Sequence, residues 1–297
     1  MSSIPDRYDL NADHYEHYWA PVLDATARRL LDRVAPYAAA LPAGSTVLDV
    51  GTGSGVLALD AFRRWPSLSV IGSDASSGML RVAAARGVQL GAPAEPDIPG
   101  EPDIPADRDT PRARGRLRWL HAPADALTLP DASVDLVVSS FAYQLVPDRG
   151  AAFREALRVL RPGGRIAFVT WLSRGDDFEP AIEFDEAVLD LDIDEPDEPD
   201  EEVRAGDFRS PRSAAGELRR AGFRRVSANV EALEHAWTIN SYLDFKERYE
   251  ERTLFGWLDD ARAKRLLERA RERFQELPPD AFTWRTDVVS AVGERPR

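Results

Sequence analysis

Two kinds of apolar pattern alternate between residues 46 and 171. Short β-branched runs, such as Val47 to Val50 and Val134 to Ser139, predict buried strands. Apolar residues at helical spacing, as from Asp148 to Leu160, predict amphipathic helices. The same patterns give further strands at 68–72, 117–121 and 165–171, and a helix at 76–86. Strands that alternate with helices predict an α/β fold with a parallel sheet covered on both faces.

The pattern also predicts elements outside this stretch. A helix begins at Pro21, and Pro36 and Pro42 are expected to end it before the first strand. Helices are predicted at 178–191 and 210–221, and late strands at 223–230 and 283–292, which gives seven strands in all. The aromatic-rich amphipathic stretch 238–277 predicts a helical cap. Its aromatic rings are expected either to pack on the sheet or to line a substrate pocket.

We divide the chain into residues 1–45, an N-terminal arm and helix, and residues 46–297, the main domain. The arm is rich in Tyr, His and Trp without a clear period, so it packs on the domain or covers a ligand. Residues 91–115 repeat EPDIP and hold little apolar surface, which predicts a disordered insertion. Residues 192–202 are predicted to be an acidic, solvated loop.

Charge and composition narrow the classes of function. The 38 Lys and Arg against 51 Asp and Glu give a net charge of −13, which argues against a nucleic-acid partner or an anionic membrane. The absence of cysteine excludes disulfides and thiolate metal sites, and no metal is expected. No apolar run approaches the ~18 residues of a membrane span, so a cytoplasmic protein is expected. The long C-terminal helices either pair in a homodimer or cover the sheet.

The strongest chemical signal is the run TVLDVGTGSG at 46–55, in which a strand ends beside three glycines. Glycines at such a turn let backbone N–H groups approach a ligand closely. Their spacing is G-x-G-x-G, whereas dinucleotide-binding turns have G-x-G-x-x-G. Asp74 ends the next strand, about 20 residues on, where a carboxylate can accept both hydroxyls of a ribose. A nucleoside cofactor without a required pyrophosphate is therefore expected.

Four segments resemble, in order and spacing, the class I S-adenosylmethionine-dependent methyltransferases. They are VLDVGTGSG at 47–55, VIGSDASSGML at 70–80, ADALTLPDASVDLVVSSF at 124–141 and EALRVLRPGGRIAFVTW at 155–171. YDLNADHY at 8–15 is similar to an N-terminal segment of the ubiquinone/menaquinone-biosynthesis methyltransferase-like group. The resemblance implies a Rossmann-like, seven-stranded, mostly parallel sheet and methyl transfer from S-adenosylmethionine to a small, partly apolar acceptor. It weakens after residue 172, where such families vary with substrate.

The resemblance also implies a cofactor site, residue by residue. The methionine end would lie at Asp49 and the turn of Gly51, Thr52, Gly53 and Gly55, with Ser140 and Phe141 lining it. Asp74 would bind the ribose, Ala75 and Met79 would flank the adenine, and Asp125 with Ala126 would accept from its amino group. Tyr8 or Tyr15 could close over the cofactor.

The catalytic residues stay open at this point. His14, His17 and Tyr15 are the candidates for a base, by their place in the arm. Many relatives carry a histidine after the fourth strand, where this chain has Tyr143, Gln144 and Leu145, so a base in that loop is in doubt. Two other functions are considered: a non-catalytic S-adenosylmethionine-binding or regulatory protein on the same fold, and an NAD-dependent oxidoreductase.

Overall fold

A computed structural model of the protein describes residues 4–92, 96–97, 117–173, 177–193 and 204–297. Eight strands form a single sheet within these residues. They are β1 Thr46–Val50, β2 Ser69–Asp74, β3 Pro96–Asp97, β4 Leu117–His121, β5 Val134–Ser140, β6 Leu160–Trp171, β7 Arg224–Ala236 and β8 Thr283–Glu294. Their order across the sheet is β3-β4-β2-β1-β5-β6-β8-β7.

The first six strands run parallel, and β8 is antiparallel to both β6 and β7. This arrangement confirms the seven-stranded, mostly parallel sheet, to which the two-residue strand β3 adds an edge. The central strands β1 and β5 are nearly all buried, as their continuous apolar runs predict. Because β1 and β2 are parallel neighbours, with Val50 opposite Ser73, their carboxyl ends meet at one edge of the sheet.

Ten α-helices surround the sheet in the part of the chain that the structure describes. They are α1 Ile4–His14, α2 Ala20–Ala38, α3 Val56–Arg64, α4 Ser77–Gln89, α5 Arg149–Val159, α6 Glu179–Asp190, α7 Pro211–Ala221, α8 Ile239–Phe245, α9 Arg252–Trp257 and α10 Asp260–Glu276. Short π-helices, Tyr15–Trp19 and Lys246–Glu250, follow α1 and α8, and a 3₁₀ turn, Pro279–Phe282, precedes β8. No helix in the described ranges is long and apolar enough to cross a membrane.

The helices form three apolar clusters. Helices α2, α3 and α4 pack on one face of the sheet through residues such as Leu30, Leu57 and Leu80. Helices α5 and α7 pack on the other face through Phe153 and Leu218. Helices α6, α8, α9 and α10 form a separate cluster, whose residues include Phe184, Phe245 and Phe274. This third cluster corresponds to the predicted cap at 238–277, extended by α6.

The structure defines the N-terminal arm and corrects one expectation about the helix that follows it. The arm has no clear sequence period, yet it is helical throughout, as α1 followed by the π-helix. Pro36 does not end α2, which continues to Ala38. A proline in the last turn removes only one helical hydrogen bond, and the buried Val34 and Ala38 hold the turn against the sheet.

Several other boundaries differ from the predicted ones. β6 begins at Leu160, so the Pro-Gly-Gly turn is part of the strand, and β7 extends to Ala236. The predicted insertion at 91–115 lies outside the described residues, except for 91–92 and β3, which pairs with β4. Most of the predicted acidic loop, 194–202, also lies outside them.

Candidate functional site

The glycine turn after β1 needs glycine for backbone reasons. Gly51, Gly53 and Gly55 have φ angles of +65°, +53° and +84°, in the left-handed region that side chains disfavour. A Cβ atom at Gly51 would also overlap the Cβ of Ala142, which follows β5. The turn therefore packs tightly against the loop after β5, and this close approach shapes the site.

Asp49 lies at the carboxyl end of β1 and is 1% exposed. Its Oδ2 accepts hydrogen bonds from Thr52 Oγ1 at 2.6 Å and from Ala58 N at 3.1 Å. Its Oδ1 is buried and has no hydrogen-bond partner. Burial raises the pKa of Asp49 from 3.8 to about 7, although these two hydrogen bonds oppose the rise. A buried carboxylate oxygen without a donor is costly, so it indicates a position prepared for a cation or a donor.

A small cavity lies beside Asp49, with a volume of about 40 Å³. The glycine turn, the arm, α2, the start of α3 and the end of β5 contribute its lining. The lining residues are Tyr15, Ala20, Leu23, Asp24, Ala27, Asp49, Gly51, Thr52, Gly53, Ser54, Val56, Leu57 and Ser140. The structure thus brings six of the predicted site residues together around one space: Tyr15, Asp49, Gly51, Thr52, Gly53 and Ser140.

Asp74, the predicted ribose ligand, lies at the end of β2 beside this turn. Its Oδ2 accepts a hydrogen bond from Gly53 N at 2.8 Å, and its Oδ1 accepts one from Ser76 N at 2.9 Å. Burial raises the pKa of Asp74, and these hydrogen bonds oppose the rise. The carboxylate is therefore held in one orientation, and each oxygen keeps a second lone pair for a further donor.

Tyr15 begins the π-helix and covers the cavity from the arm. A Cβ atom at Gly53 would lie 4.0 Å from the Tyr15 ring, so the ring faces the turn directly. Burial raises the pKa of Tyr15 well above its ordinary value, and the nearby carboxylate of Asp74 raises it further. Its hydroxyl is thus protonated at physiological pH and is available as a hydrogen-bond donor.

The arm is fastened to α4 at two points. Asp9 Oδ1 accepts hydrogen bonds from Ser76 Oγ at 2.6 Å and from Gly78 N at 2.7 Å. Arg86 Nη1 donates to Glu16 at 2.9 Å and to the Ser54 carbonyl at 3.0 Å, so it joins the arm to the glycine turn. The arm therefore packs on the domain beside the cavity, and its role in covering a cofactor stays a prediction.

The loop after β5 is strained and is held by two side chains. Phe141 has a φ of +52°, which is uncommon outside glycine and is often found at functional sites. Gln144 Nε2 donates to the Phe141 carbonyl at 2.6 Å, and Thr170 Oγ1 donates to Gln144 Oε1 at 2.5 Å. The Phe141 ring packs on Trp171 at 4.3 Å between centroids. Buried hydrogen bonds therefore hold Phe141 in this strained conformation.

The remaining predicted ligands lie around the cavity and do not line it. Ala75 follows β2, and its carbonyl accepts from His121 Nε2 at 2.9 Å. Met79 is buried on α4, and Asp125 and Ala126 follow β4, whose end pairs with the end of β2. Gly55 caps α3, and the Tyr8 ring contacts the Tyr15 ring edge-on at 5.8 Å. Their roles in cofactor binding stay predictions.

The two candidate histidines lie outside the cavity lining, whereas Tyr15 is part of it. His14 stacks on Tyr18, and the exposed His17 contacts the same ring edge-on. Tyr143, in the loop where relatives carry a histidine, is fully buried, and burial raises the pKa of its hydroxyl. Neither histidine reaches the cavity in this arrangement, and the loop offers no base.

Several residues of the site had no recognisable signal in the sequence. Asp24 and three apolar residues in the first turns of α2 line the cavity, although these four residues precede the glycine turn by more than 20 positions. Arg86 and Gln144 hold the surrounding loops, and their types are common at ordinary surface and core positions. Only tertiary packing brings these residues to the turn.

The lining residues fit the methionine end of S-adenosylmethionine. The sulfonium and the ammonium of this cofactor are cationic, and the unpaired Asp49 Oδ1 offers an acceptor in a buried position. Asp49 and the glycine turn would hold the amino-acid end, and Asp74 the ribose.

Part of the chain is similar in sequence to known proteins. Residues 48–168 match the family described as "Methyltransferase domain". A ubiquinone/menaquinone biosynthesis C-methyltransferase UbiE from Geobacter sulfurreducens is 37% identical over 123 residues. That match covers 41% of this chain and 40% of the relative, so the chain spans well under two thirds of the relative's length.

Two solved structures share the fold. The YcgJ protein from Bacillus subtilis has a TM-score of 0.51 at 20% identity, with 91% of this chain and 99% of that chain covered. A phosphoethanolamine N-methyltransferase 2 from Haemonchus contortus, in complex with phosphomonomethylethanolamine and S-adenosylhomocysteine, has a TM-score of 0.56 at 18% identity. That comparison covers 100% of this chain and 61% of the other. Residues 48–168 thus match a methyltransferase domain in sequence, and the chain shares its fold with these two solved structures.

Proposed function

We propose that this protein is an enzyme that transfers a methyl group from S-adenosylmethionine to a small, partly apolar molecule. The observation that carries the proposal is the buried, unpaired Oδ1 of Asp49 beside the glycine turn. A carboxylate in this position stabilises a cation, and it would be a costly feature of a turn built only for stability. When bound, the cofactor supplies a methyl group activated by a positively charged sulfur.

The proposed roles of the chain's own residues are to bind, align and exclude water. Asp49 and Asp74 hold the cofactor from two strand ends, and Tyr15 covers it from the arm. The protonated Tyr15 hydroxyl can donate a hydrogen bond, but it does not remove a proton. Alignment of the two reactants in a water-poor site can supply much of the acceleration of a displacement reaction.

Entry of the cofactor requires an opening motion. The cavity of about 40 Å³ is far below the roughly 300–1,000 Å³ of typical ligand pockets. The carboxylates of Asp9 and Glu16 accept the hydrogen bonds that hold the arm. The π-helix that begins at Tyr15 interrupts the regular α-helical hydrogen bonds of the arm. We therefore assign this motion to the arm.

A cluster of partly exposed tryptophan rings is an argument for a partly apolar acceptor. Trp19, Trp171 and Trp284 lie with ring centroids 5.8 to 6.2 Å apart, and none of them is fully buried. The buried Phe141 ring packs on Trp171, and the buried Phe245 ring of the cap stacks on Trp19 at 5.6 Å, so these contacts join the loop after β5 to the cap. Rings that join the cofactor side to the cap suit an acceptor with an apolar face.

A methyl-transfer screen tests this function. The protein is incubated with S-adenosylmethionine and with phenols, quinol precursors or amines, and S-adenosylhomocysteine and the methylated product are measured. We expect equal amounts of both products with at least one acceptor class. Trp284→Ala should raise the KM for that acceptor, whereas Trp257→Ala, at a side chain 68% exposed, should not. Cofactor binding without transfer to any class would favour the non-catalytic alternative.

A further inference from the structure

Helix α2 forms one wall of the cavity with a single face. The residues on this face follow helical spacing, and they are Ala20, Leu23, Asp24 and Ala27. The three apolar residues are buried and pack on the domain, whereas Asp24 is half-buried and is the one charged residue of the wall. Neither the sequence motifs nor the comparisons give Asp24 a role.

The cavity carries negative charge on two sides. Asp24 comes from α2 and Asp49 from β1, and among the described residues that line the cavity none is Lys, Arg or His. Arg28 Nε donates to both carboxylate oxygens of Asp24, at 3.0 and 2.8 Å, and the Arg28 side chain is 49% exposed. The unpaired Oδ1 of Asp49 is an independent sign of a cationic ligand, because it is buried without a donor.

The same cavity also offers a place for an anion. Val56 and Leu57, the first two residues of α3, contribute to its lining. Backbone N–H groups and the positive end of the helix dipole favour a carboxylate at a helix N-terminus. Two carboxylates and a helix N-terminus around one space match the two opposite charges of a free amino acid.

We propose that Asp24 binds the α-ammonium of the cofactor and that this cavity selects ligands with a complete amino-acid end. The inference rests on the proposed function, since it assigns a further binding residue for the same cofactor. Asp24 shares the ammonium with Asp49, and Arg28 holds the Asp24 carboxylate from the solvent side. Asp24 is therefore a specificity-determining residue that recognises the part of the cofactor far from the methyl group.

Titration calorimetry with two ligands tests this assignment. S-adenosylhomocysteine carries the amino-acid end, and 5′-methylthioadenosine lacks it. We expect Asp24→Asn to weaken binding of S-adenosylhomocysteine about tenfold, as suits a carboxylate about one third exposed. Binding of 5′-methylthioadenosine should be unchanged. Asp32→Asn makes the same change in net charge on α2, next to Arg64 and away from the cavity lining, and should affect neither ligand.

A second variant separates recognition from helix stability. Arg28→Gln removes the same ion pair but leaves the carboxylate, so it should maintain or strengthen binding of S-adenosylhomocysteine. Equal weakening by Arg28→Gln and Asp24→Asn would show that the ion pair only supports α2 and would overturn the assignment. Equal loss of both ligands in Asp24→Asn, or no loss of either, would also overturn it. Wild-type protein that binds neither ligand would refute the proposed function itself.

Discussion

Replacement of Asp49 by asparagine should stabilise the ligand-free protein at neutral pH. The asparagine oxygen can still accept from Thr52 Oγ1 and Ala58 N, so the turn keeps its hydrogen bonds. The change removes the buried negative charge, whose other oxygen has no partner. The effect of this charge on stability is therefore separable from the packing of the turn.

Its size follows from the pKa of Asp49. Burial raises that pKa from 3.8 to about 7, so the folded protein keeps a proton that the unfolded chain releases. The resulting stability is complete below about pH 3.8 and is lost as the pH rises through about 7. At 1.36 kcal/mol per pH unit, the free energy of unfolding should fall by roughly 2–3 kcal/mol between pH 5 and pH 8. The Asp49→Asn variant should not show this decrease in the free energy of unfolding.

Urea unfolding of the wild type and the variant at pH 5, 6, 7 and 8 measures the difference directly. We expect the stability of Asp49→Asn relative to the wild type to increase by roughly 2–3 kcal/mol over this range. Taking the difference cancels the contributions of groups that do not interact with Asp49; the charge of Asp74 is one of the causes that raise the pKa of Asp49, so its effect is part of the difference. A difference that stays constant within about 0.5 kcal/mol would refute the assignment of a raised pKa to Asp49.

Three further predictions concern the glycine turn, the arm and Asp74. Gly51→Ala should lower the free energy of unfolding, measured in urea, by at least about 2 kcal/mol, because it combines backbone strain with an overlap at Ala142. The control is Gly44→Ala, at φ +83° in open space, which should lower the free energy of unfolding by only about 1 kcal/mol. Asp9→Ala should speed tryptic cleavage of the arm, because Ser76 and Gly78 lose their acceptor, whereas Asp13→Ala at an exposed position should not. Asp74→Ala should weaken S-adenosylmethionine binding by roughly 1–3 kcal/mol in calorimetry, and unchanged affinity would show that Asp74 is not a cofactor ligand.

The fold was largely predictable because its strands are buried on both faces. Continuous apolar runs such as Val134–Ser140 fix both the strand and its central place in the sheet. The arm was harder, because α1 buries only Ala12 of its own residues and so shows no strong helical period. Contacts made by Asp9 and Glu16 hold it in place, and such polar contacts leave no pattern in the sequence.

The candidate site was predictable where the backbone demands a residue type. Gly51 is required by its φ angle and by the neighbouring Ala142, so the glycine turn is visible in the sequence. Asp24 and Arg86 were not predicted, because any helix can carry a charged residue at such positions. The sequence shows that no histidine stands in the loop directly after β5, but the burial of Tyr143 and the raised pKa of Tyr15 required the structure.

The most direct test of the proposed function is calorimetric titration of the wild-type protein with S-adenosylmethionine, S-adenosylhomocysteine and NAD in parallel. The acidic cavity beside the G-x-G-x-G turn predicts micromolar binding of the first two ligands and no binding of NAD. Binding of NAD in preference to both adenosyl ligands, or binding of none of the three, would contradict the assignment of this site to S-adenosylmethionine.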